Sequence, residues 1–183
     1  MKTNALVASV FGLAAFTATT AVAPVASATD ESIAVYVEGM GGSQTNNAGD
    51  SAGALGVQAG VQLFFLEAYA SQTAFSGSAS VTRAVLGPFF DIDVGKWELS
   101  LHLGVGGIRD SGGVLLGNDF SGPQTGGVAR LGLALDRDLG DFFAIGASLY
   151  TEGYAVRNED TKEDWTRGSS VLLSGHLRFE LGI

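Results

Sequence analysis

The sequence has no cysteine and few charged residues, and its basic residues are fewer than its acidic ones. Its 183 residues include 10 Lys+Arg against 19 Asp+Glu, and only 16% of the chain is charged. Without cysteine, a disulfide framework, a thiolate metal site and a cysteine nucleophile are all excluded. The acidic balance argues against nucleic-acid binding, which calls for a basic patch. The length allows one ordinary domain and leaves no room for two large ones.

The first 28 residues have the features of a secretory signal peptide. Lys2 supplies the positive charge, residues 5–16 form an almost unbroken apolar run, and residues 26–28 read Ala-Ser-Ala, a typical cleavage site. We therefore expect residues 1–28 to be removed on export, leaving residues 29–183 as the folded domain. After residue 28 no apolar stretch approaches the roughly 18 residues that a transmembrane helix needs.

What replaces long apolar runs is an alternation of apolar and polar residues with a period of two. From Val171 to Ile183, seven apolar positions share one face, while the other face carries His176, Arg178 and Glu180. This period is typical of a strand with two different faces and excludes a helix. Seven further segments repeat it, so we predict eight strands. These segments are 33–38, 55–63, 66–71, 82–92, 97–105, 129–136 and 143–152. Pro88 lacks an N–H donor and suggests a bulge in the fourth strand.

The predicted connections alternate between short and long. Tight turns are expected at 64–65, 94–96 and 139–140. The other connections are polar and rich in Gly, and they cover 43–52, 72–79, 108–126 and 156–168. Short turns at one end and long loops at the other are typical of an all-β, antiparallel, up-and-down barrel.

Such a barrel has an apolar interior if it is soluble and an apolar exterior if it spans a membrane. The polar face carries Arg, Glu, His and many small residues but no Lys, since Lys96 and Lys162 lie in connections. Paired charges among small residues suit a cramped interior. Aromatic residues near the tight turns suggest a girdle at one membrane interface. They are Phe64, Phe65, Phe89, Phe90, Trp97, Phe142 and Phe143. We therefore expect a transmembrane barrel.

Together, the signal peptide, the alternating strands, the loop asymmetry and the last strand resemble the small eight-stranded outer-membrane barrels: the OmpA transmembrane domain, OmpX and the opacity-type proteins. The resemblance implies a monomer in the bacterial outer membrane, surrounded by its lipid. It also implies that the barrel-assembly machinery reads the C-terminal strand. Leu177, Phe179, Leu181 and Ile183 match the alternating apolar positions of that signal, but the terminal residue is Ile where Phe is usual.

Candidate chemistry is weak. Glu98, Ser100 and His102 share one strand face, but residues two apart lie roughly 7 Å from each other, too far for a Ser–His hydrogen bond. His102 and His176 lack a clear third metal ligand, and the acidic run 158–164 lacks EF-hand spacing. We therefore predict no catalytic residue, no metal and no cofactor.

Six polar residues fall near mid-height of the predicted barrel and are expected to form an ion-pair and hydrogen-bond network in the lumen. They are Glu38, Gln58, His102, Arg130, His176 and Arg178. Because closure brings the first strand beside the last, we expect Glu38 to pair with Arg178, with Arg130 and His102 completing the layer.

Apolar residues in the two longest loops are candidate contacts for an unidentified extracellular ligand. They are Leu115, Leu116, Phe120 and Trp165. Alternatively, these side chains cap the barrel mouth or enter the outer leaflet. We expect a non-enzymatic protein whose loops serve adhesion, recognition or envelope stabilisation. The alternatives are a narrow pore gated by the lumen network and a lipid-modifying outer-membrane enzyme.

Overall fold

The computed structural model describes residues 33–46, 49–75, 79–116, 122–161 and 165–182. The predicted signal peptide, Phe120 and Lys162 lie outside these ranges. The strands are β1 (Ile33–Asn46), β2 (Ser51–Leu63), β3 (Leu66–Phe75), β4 (Ser80–Val94), β5 (Trp97–Asp110), β6 (Gln124–Asp138), β7 (Phe143–Asn158) and β8 (Thr166–Gly182). Across the described ranges, no helix has the length and apolarity needed to cross a membrane.

The eight strands form one closed antiparallel barrel. Each strand pairs with the next along the chain, and β8 returns to pair with β1, so the sheet has no free edge. The closing seam places Glu38 opposite Arg178 and Met40 opposite His176. The predicted fold class, an all-β up-and-down barrel of eight strands, is confirmed.

The strands run further toward the long-loop end than the alternation predicted. β1 continues to Asn46, β3 to Phe75, and β8 already begins at Thr166. These extensions are rich in Gly, Ser and Thr, for example at residues 41–45. Small residues on both faces hide the period of two while the backbone ladder continues. The tight turns at 64–65 and 95–96 lie where they were predicted, with Phe64 (φ 55°) and Gly95 (φ 71°) in the left-handed region, whereas the third connection is longer than predicted and covers 139–142.

The bulge predicted at Pro88 is not present. Leu86 pairs with Val105 and Phe89 with His102, so two residues lie between these pairs on each strand and the register is unbroken. On its other side, Pro88 occupies the last pair of the β3–β4 ladder, opposite Leu66. A missing N–H donor at the end of a ladder interrupts little pairing, which explains why no bulge is needed.

Polar side chains fill the barrel, and apolar side chains cover its outside. The outward-facing Leu and Val residues of β2 are 42–71% exposed. The largest fully buried side chains include Arg83, Gln124 and Glu152. This distribution is the reverse of that of a soluble barrel, as the composition of the polar face indicated.

Six of the seven predicted girdle aromatics are exposed near the tight-turn end, but the assignment of Phe89 is wrong. Phe89 is only 8% exposed, and its ring centroid lies 6.4 Å from that of His102. Since consecutive strand residues point to opposite faces, Phe90 takes the outward position and Phe89 must face inward. The girdle instead gains Phe179, whose ring packs 5.2 Å from that of Phe143.

Candidate functional site: the barrel interior and its mouth

The centre of the interior is a carboxylate held between two arginines. Arg83 Nε lies 2.7 Å from Glu152 Oε1, and Arg130 Nε lies 3.2 Å from the same atom. The second oxygen, Oε2, accepts hydrogen bonds from Arg83 Nη2 at 2.9 Å and from the Ser170 hydroxyl at 3.1 Å. All three charged side chains are almost completely buried. Such a carboxylate is tolerated only because several donors replace its water shell.

Arg130 is further stabilised by aromatic side chains. Its guanidinium lies 3.6 Å from the centroid of the Tyr150 ring, a cation–π distance, and Nη1 donates to the Tyr69 hydroxyl at 2.7 Å. Arg83 donates to Gln44 Oε1 and to the Thr73 hydroxyl, each at 3.2 Å. The excess positive charge of this layer is therefore spread over neutral polar and aromatic partners.

A second cluster, nearer the tight-turn end, is built on Glu67. Its Oε1 accepts a hydrogen bond from the Tyr36 hydroxyl at 2.6 Å, and its Oε2 lies 2.9 Å from His102 Nδ1. Gln58 Nε2 donates to the same Tyr36 hydroxyl at 3.0 Å. The cluster links β1, β2, β3 and β5 across the lumen, so it ties together strands that are not neighbours in the sheet.

The closing seam carries a third cluster, in which the expected Glu38–Arg178 ion pair is not formed. The two residues are register partners, but Arg178 Nη2 contacts Glu180 at 2.6 Å and Gln62 Oε1 at 2.8 Å. The long Arg side chain leans along the strand over the Tyr36 ring and thereby reaches past Glu38.

His176 lies between two acidic residues at the same seam. Its Nε2 contacts Asp136 Oδ1 at 2.5 Å, and its Nδ1 lies 3.8 Å from Glu38 Oε1. Glu38 thus faces a histidine where an arginine was expected. The predicted single layer is in fact divided among three clusters, with Arg130 and His102 in separate ones.

The structure places all six predicted lumen residues inside the barrel. Sequence reasoning missed Arg83, which contacts Glu152, and several partners of the six residues, which are Tyr36, Gln62, Glu67, Tyr69, Asp136, Tyr150, Glu152 and Glu180. Each missed residue lies on the inward-facing series of its strand, so the alternation contained the signal. Arg83 and Glu152 lie closer to the long-loop end than the predicted mid-height, because the strands extend further toward that end than the alternation indicates.

Above the charged layers, an apolar plug closes the interior at the long-loop end. Leu115, from the β5–β6 connection, is 0% exposed and packs in one cluster with the following strand residues. They are Phe75, Val81, Ile108, Tyr154, Val156 and Leu172. The buried carboxylate of Asp110 accepts hydrogen bonds from the backbone N–H of Gly112 at 3.0 Å and of Leu115 at 2.8 Å. The Tyr154 hydroxyl donates to the Leu115 carbonyl.

The plug corrects the assignment of the surface contacts. Leu115 was expected as a surface contact and is instead part of the core, while Leu116 is half-buried against the same cluster. This arrangement matches the alternative that these side chains cap the barrel mouth. Trp165 is exposed, at 56%, and its ring centroid lies 5.2 Å from the Arg157 guanidinium. Phe120 lies outside the described residues.

The residues considered for catalysis and metal binding from the sequence do not come together in the structure. The Ser100 hydroxyl is buried and contacts Glu98 at 3.5 Å, whereas His102 contacts Glu67. His102 and His176 belong to different clusters. Within the described ranges, no three His, Asp or Glu side chains are close enough together to hold a metal ion.

The acidic run after β7 begins as an ordered turn on the surface. The Asn158 side chain accepts hydrogen bonds from the N–H groups of Asp160 and Thr161. Arg109 donates to both carboxylate oxygens of Glu159, at 2.8 and 3.2 Å, and thereby lowers the pKa of that carboxyl. A lowered pKa means that this contact stabilises the fold above the ordinary pKa of Glu and is lost as the pH falls through the lowered value.

A closed eight-stranded barrel with a charged interior and an apolar exterior has the architecture of the small barrels found among outer-membrane proteins. The fold is similar to that of Neisserial surface protein A (NspA), with a TM-score of 0.58 and 13% identity over 81% of this chain and 96% of that chain. It is also similar to the N-terminal β-barrel domain of Pseudomonas aeruginosa OprF, with a TM-score of 0.51 and 14% identity over 81% and 97%. No family model matches the sequence, and no curated protein matches it significantly. The resemblance inferred from the sequence is confirmed for the fold.

Proposed function

We propose that this protein is a non-enzymatic barrel of the bacterial outer membrane that acts through its long-loop end. The observation that carries the proposal is the reversed polarity of a closed sheet, with apolar side chains exposed outside and charges buried inside. A closed barrel satisfies its strand hydrogen bonds internally, and this is the condition for crossing a hydrocarbon layer.

The dimensions of the apolar band support this location. On β5 the outward-facing series from Trp97 to Val105 spans nine residues of uninterrupted apolar character. At a tilt of about 40°, the eight rises from Trp97 to Val105 cover roughly 21 Å along the barrel axis, which approaches the apolar band of outer-membrane barrels. The exposed aromatics Phe64, Phe142 and Phe143 mark its tight-turn boundary.

The filled interior favours a role in recognition or envelope stabilisation over conduction. A solute on the barrel axis would meet the plug around Leu115 first and the Arg83–Glu152–Arg130 layer next. The plug and the charged layer are both buried and held by hydrogen bonds, so neither can swing aside as an exposed side chain could. We infer that ligands are met by the connections at the long-loop end. Closure of the sheet leaves no edge strand for pairing with a second copy, which favours a monomer.

Orientation in the membrane can be tested with single cysteines, because the chain has none of its own. Thr161→Cys lies at the long-loop end and Lys96→Cys in a tight turn, and both positions are exposed. In intact Gram-negative cells, we expect a membrane-impermeant maleimide to label Thr161→Cys and to leave Lys96→Cys unlabelled. Both variants should be labelled after lysis.

Labelling of Lys96→Cys in intact cells would contradict the orientation. Recovery of the wild-type chain in the soluble periplasmic fraction, rather than with outer membranes, would contradict the location itself.

A further inference from the structure

The inner and outer faces of the strands differ in the sign of the charges that they carry. Every Asp and Glu within the eight strands belongs to the inward-facing series, at 38, 67, 91, 93, 98, 110, 136, 138, 152 and 180. The outward-facing charges of these strands are all arginines. They are Arg109, Arg137, Arg157 and Arg167. An acidic chain that presents only cations on its outer wall is complementary to an anionic surrounding.

Three of these arginines lie together at the long-loop end, each one residue from the end of its strand on β5, β7 or β8. Strand register arranges them in two adjacent rows. The outer row contains Arg109, Thr125 and Arg157, and the row below it contains Gly107, Gly127, Ala155 and Arg167. Two strand spacings separate the Cα atoms of Arg109 and Arg157 by about 10 Å. We call these three arginines and the floor of Gly107, Gly127 and Ala155 the arginine shelf.

The packing of the barrel does not explain the glycines of this floor. A Cβ on Gly107 would meet nothing closer than 4.0 Å, and one on Gly127 nothing closer than 3.8 Å, and neither residue has a positive φ. At the inward-facing Gly126, by contrast, a Cβ would lie 1.9 Å from the Ala155 carbonyl oxygen. Glycine in a strand weakens it and often marks a place where a ligand approaches the backbone.

The cations of the shelf differ in their partners. Arg109 is held by Glu159 in a two-point ion pair and forms one side of the shelf. Arg157 has the Trp165 ring as its neighbour. Among the described residues, neither Arg157 nor Arg167 has a carboxylate within 4.0 Å. These two guanidiniums therefore have the capacity to bind an external anion.

The height of the shelf indicates which anion it meets. Arg109 follows Trp97 by 12 residues on β5, which places it roughly 31 Å further along the axis at a tilt of about 40°. This distance exceeds the apolar band of such barrels, about 25 Å, so the guanidiniums lie at the level of lipid headgroups. Trp165 beside Arg157 fits the same level, because Trp concentrates at membrane interfaces.

We propose that the arginine shelf binds the phosphate-bearing headgroup of a lipid in the outer leaflet. The proposal rests on the proposed outer-membrane location. Arg157 and Arg167 bind the phosphate through charge-assisted hydrogen bonds, for which the planar guanidinium is suited. Because Gly107 and Gly127 have no side chains, the headgroup can contact the strand backbone beside the arginines, and the lipid is retained on this side of the barrel.

The test measures lipid retained by the full chain after refolding into nanodiscs of phosphatidylcholine doped with phosphatidic acid, followed by detergent extraction and native mass spectrometry. We expect wild type to retain phosphatidic acid in preference to phosphatidylcholine. The double variant Arg157→Gln/Arg167→Gln should lose about thirtyfold in that preference, consistent with the usual effect of two basic residues near anionic lipid. Arg137→Gln, an outward-facing arginine at the opposite end, is the matched control and should retain the wild-type preference.

A second variant fills the floor without removing charge. Gly107→Leu/Gly127→Leu should still insert, because both Cβ positions are open, yet it should lose the retained phosphatidic acid. Equal retention by wild type, the floor variant and the double arginine variant would overturn the proposal. Complete displacement by an equal concentration of inorganic phosphate would also overturn it, since the shelf would then bind phosphate without its lipid. Failure of the wild-type chain to insert would contradict the proposed function instead.

Discussion

We expect Glu152→Ala to lower the free energy of unfolding by about 3–5 kcal/mol, the usual cost of leaving buried charge without its partner. Glu152 is the only carboxylate within ion-pair distance of Arg83 and Arg130 among the described residues, and all three side chains are buried. Its removal leaves two guanidiniums facing each other in a space that water enters with difficulty. Urea unfolding of the refolded barrel, followed by tryptophan fluorescence, measures the loss.

Glu159→Ala is the control for this experiment. Glu159 also pairs with an arginine, but on the surface, where water replaces the lost contact. Its unfolding midpoint should therefore stay close to that of wild type. Equal midpoints for Glu152→Ala and Glu159→Ala would show that the buried layer does not stabilise the barrel.

The second large effect is expected at the mouth. Leu115→Ala should cost about 2–5 kcal/mol, as large-to-small substitutions in well-packed cores do. Leu115 is completely buried although it lies in a connection, and its backbone is held by Asp110 and Tyr154. The loss should be measured by the same urea titration, and protease cleavage within residues 111–116 should become faster.

Leu139→Ala provides the matched control, because Leu139 lies in a tight turn and is 58% exposed. It should leave both the unfolding midpoint and the cleavage rate unchanged. If Leu115→Ala behaves like Leu139→Ala, the plug contributes nothing to stability. The connection would then be free to meet a ligand, as the sequence suggested.

The alternation predicted which side chains face the lumen and which face outward, because successive residues of a strand point to opposite sides of the sheet. Glu38, His102 and His176 were placed inside by this rule alone, and closure placed Glu38 opposite Arg178. Phe89 lies near a tight turn, which suggested a place in the girdle, but the alternation that points Phe90 and Ile92 outward requires Phe89 to face inward.

Other features depend on information that the alternation does not carry. Arg178 contacts Glu180 rather than Glu38 because a long side chain reaches along the strand to a partner that register does not specify. Leu115 enters the mouth because Asp110 accepts two backbone N–H groups of the same connection. A loop conformation of this kind has no periodic pattern, so the sequence left capping and surface contact as open alternatives.

Heat-modifiability of the chain refolded in the presence of phosphatidylcholine vesicles tests the central claim most directly, namely that the apolar outer wall spans a membrane. We expect the unboiled sample to migrate differently from the boiled one on a detergent gel, because a closed barrel resists detergent until it is heated. Without vesicles or detergent, no such shift should form. A monomer that folds to the same β-structure in plain buffer and remains soluble would contradict the account.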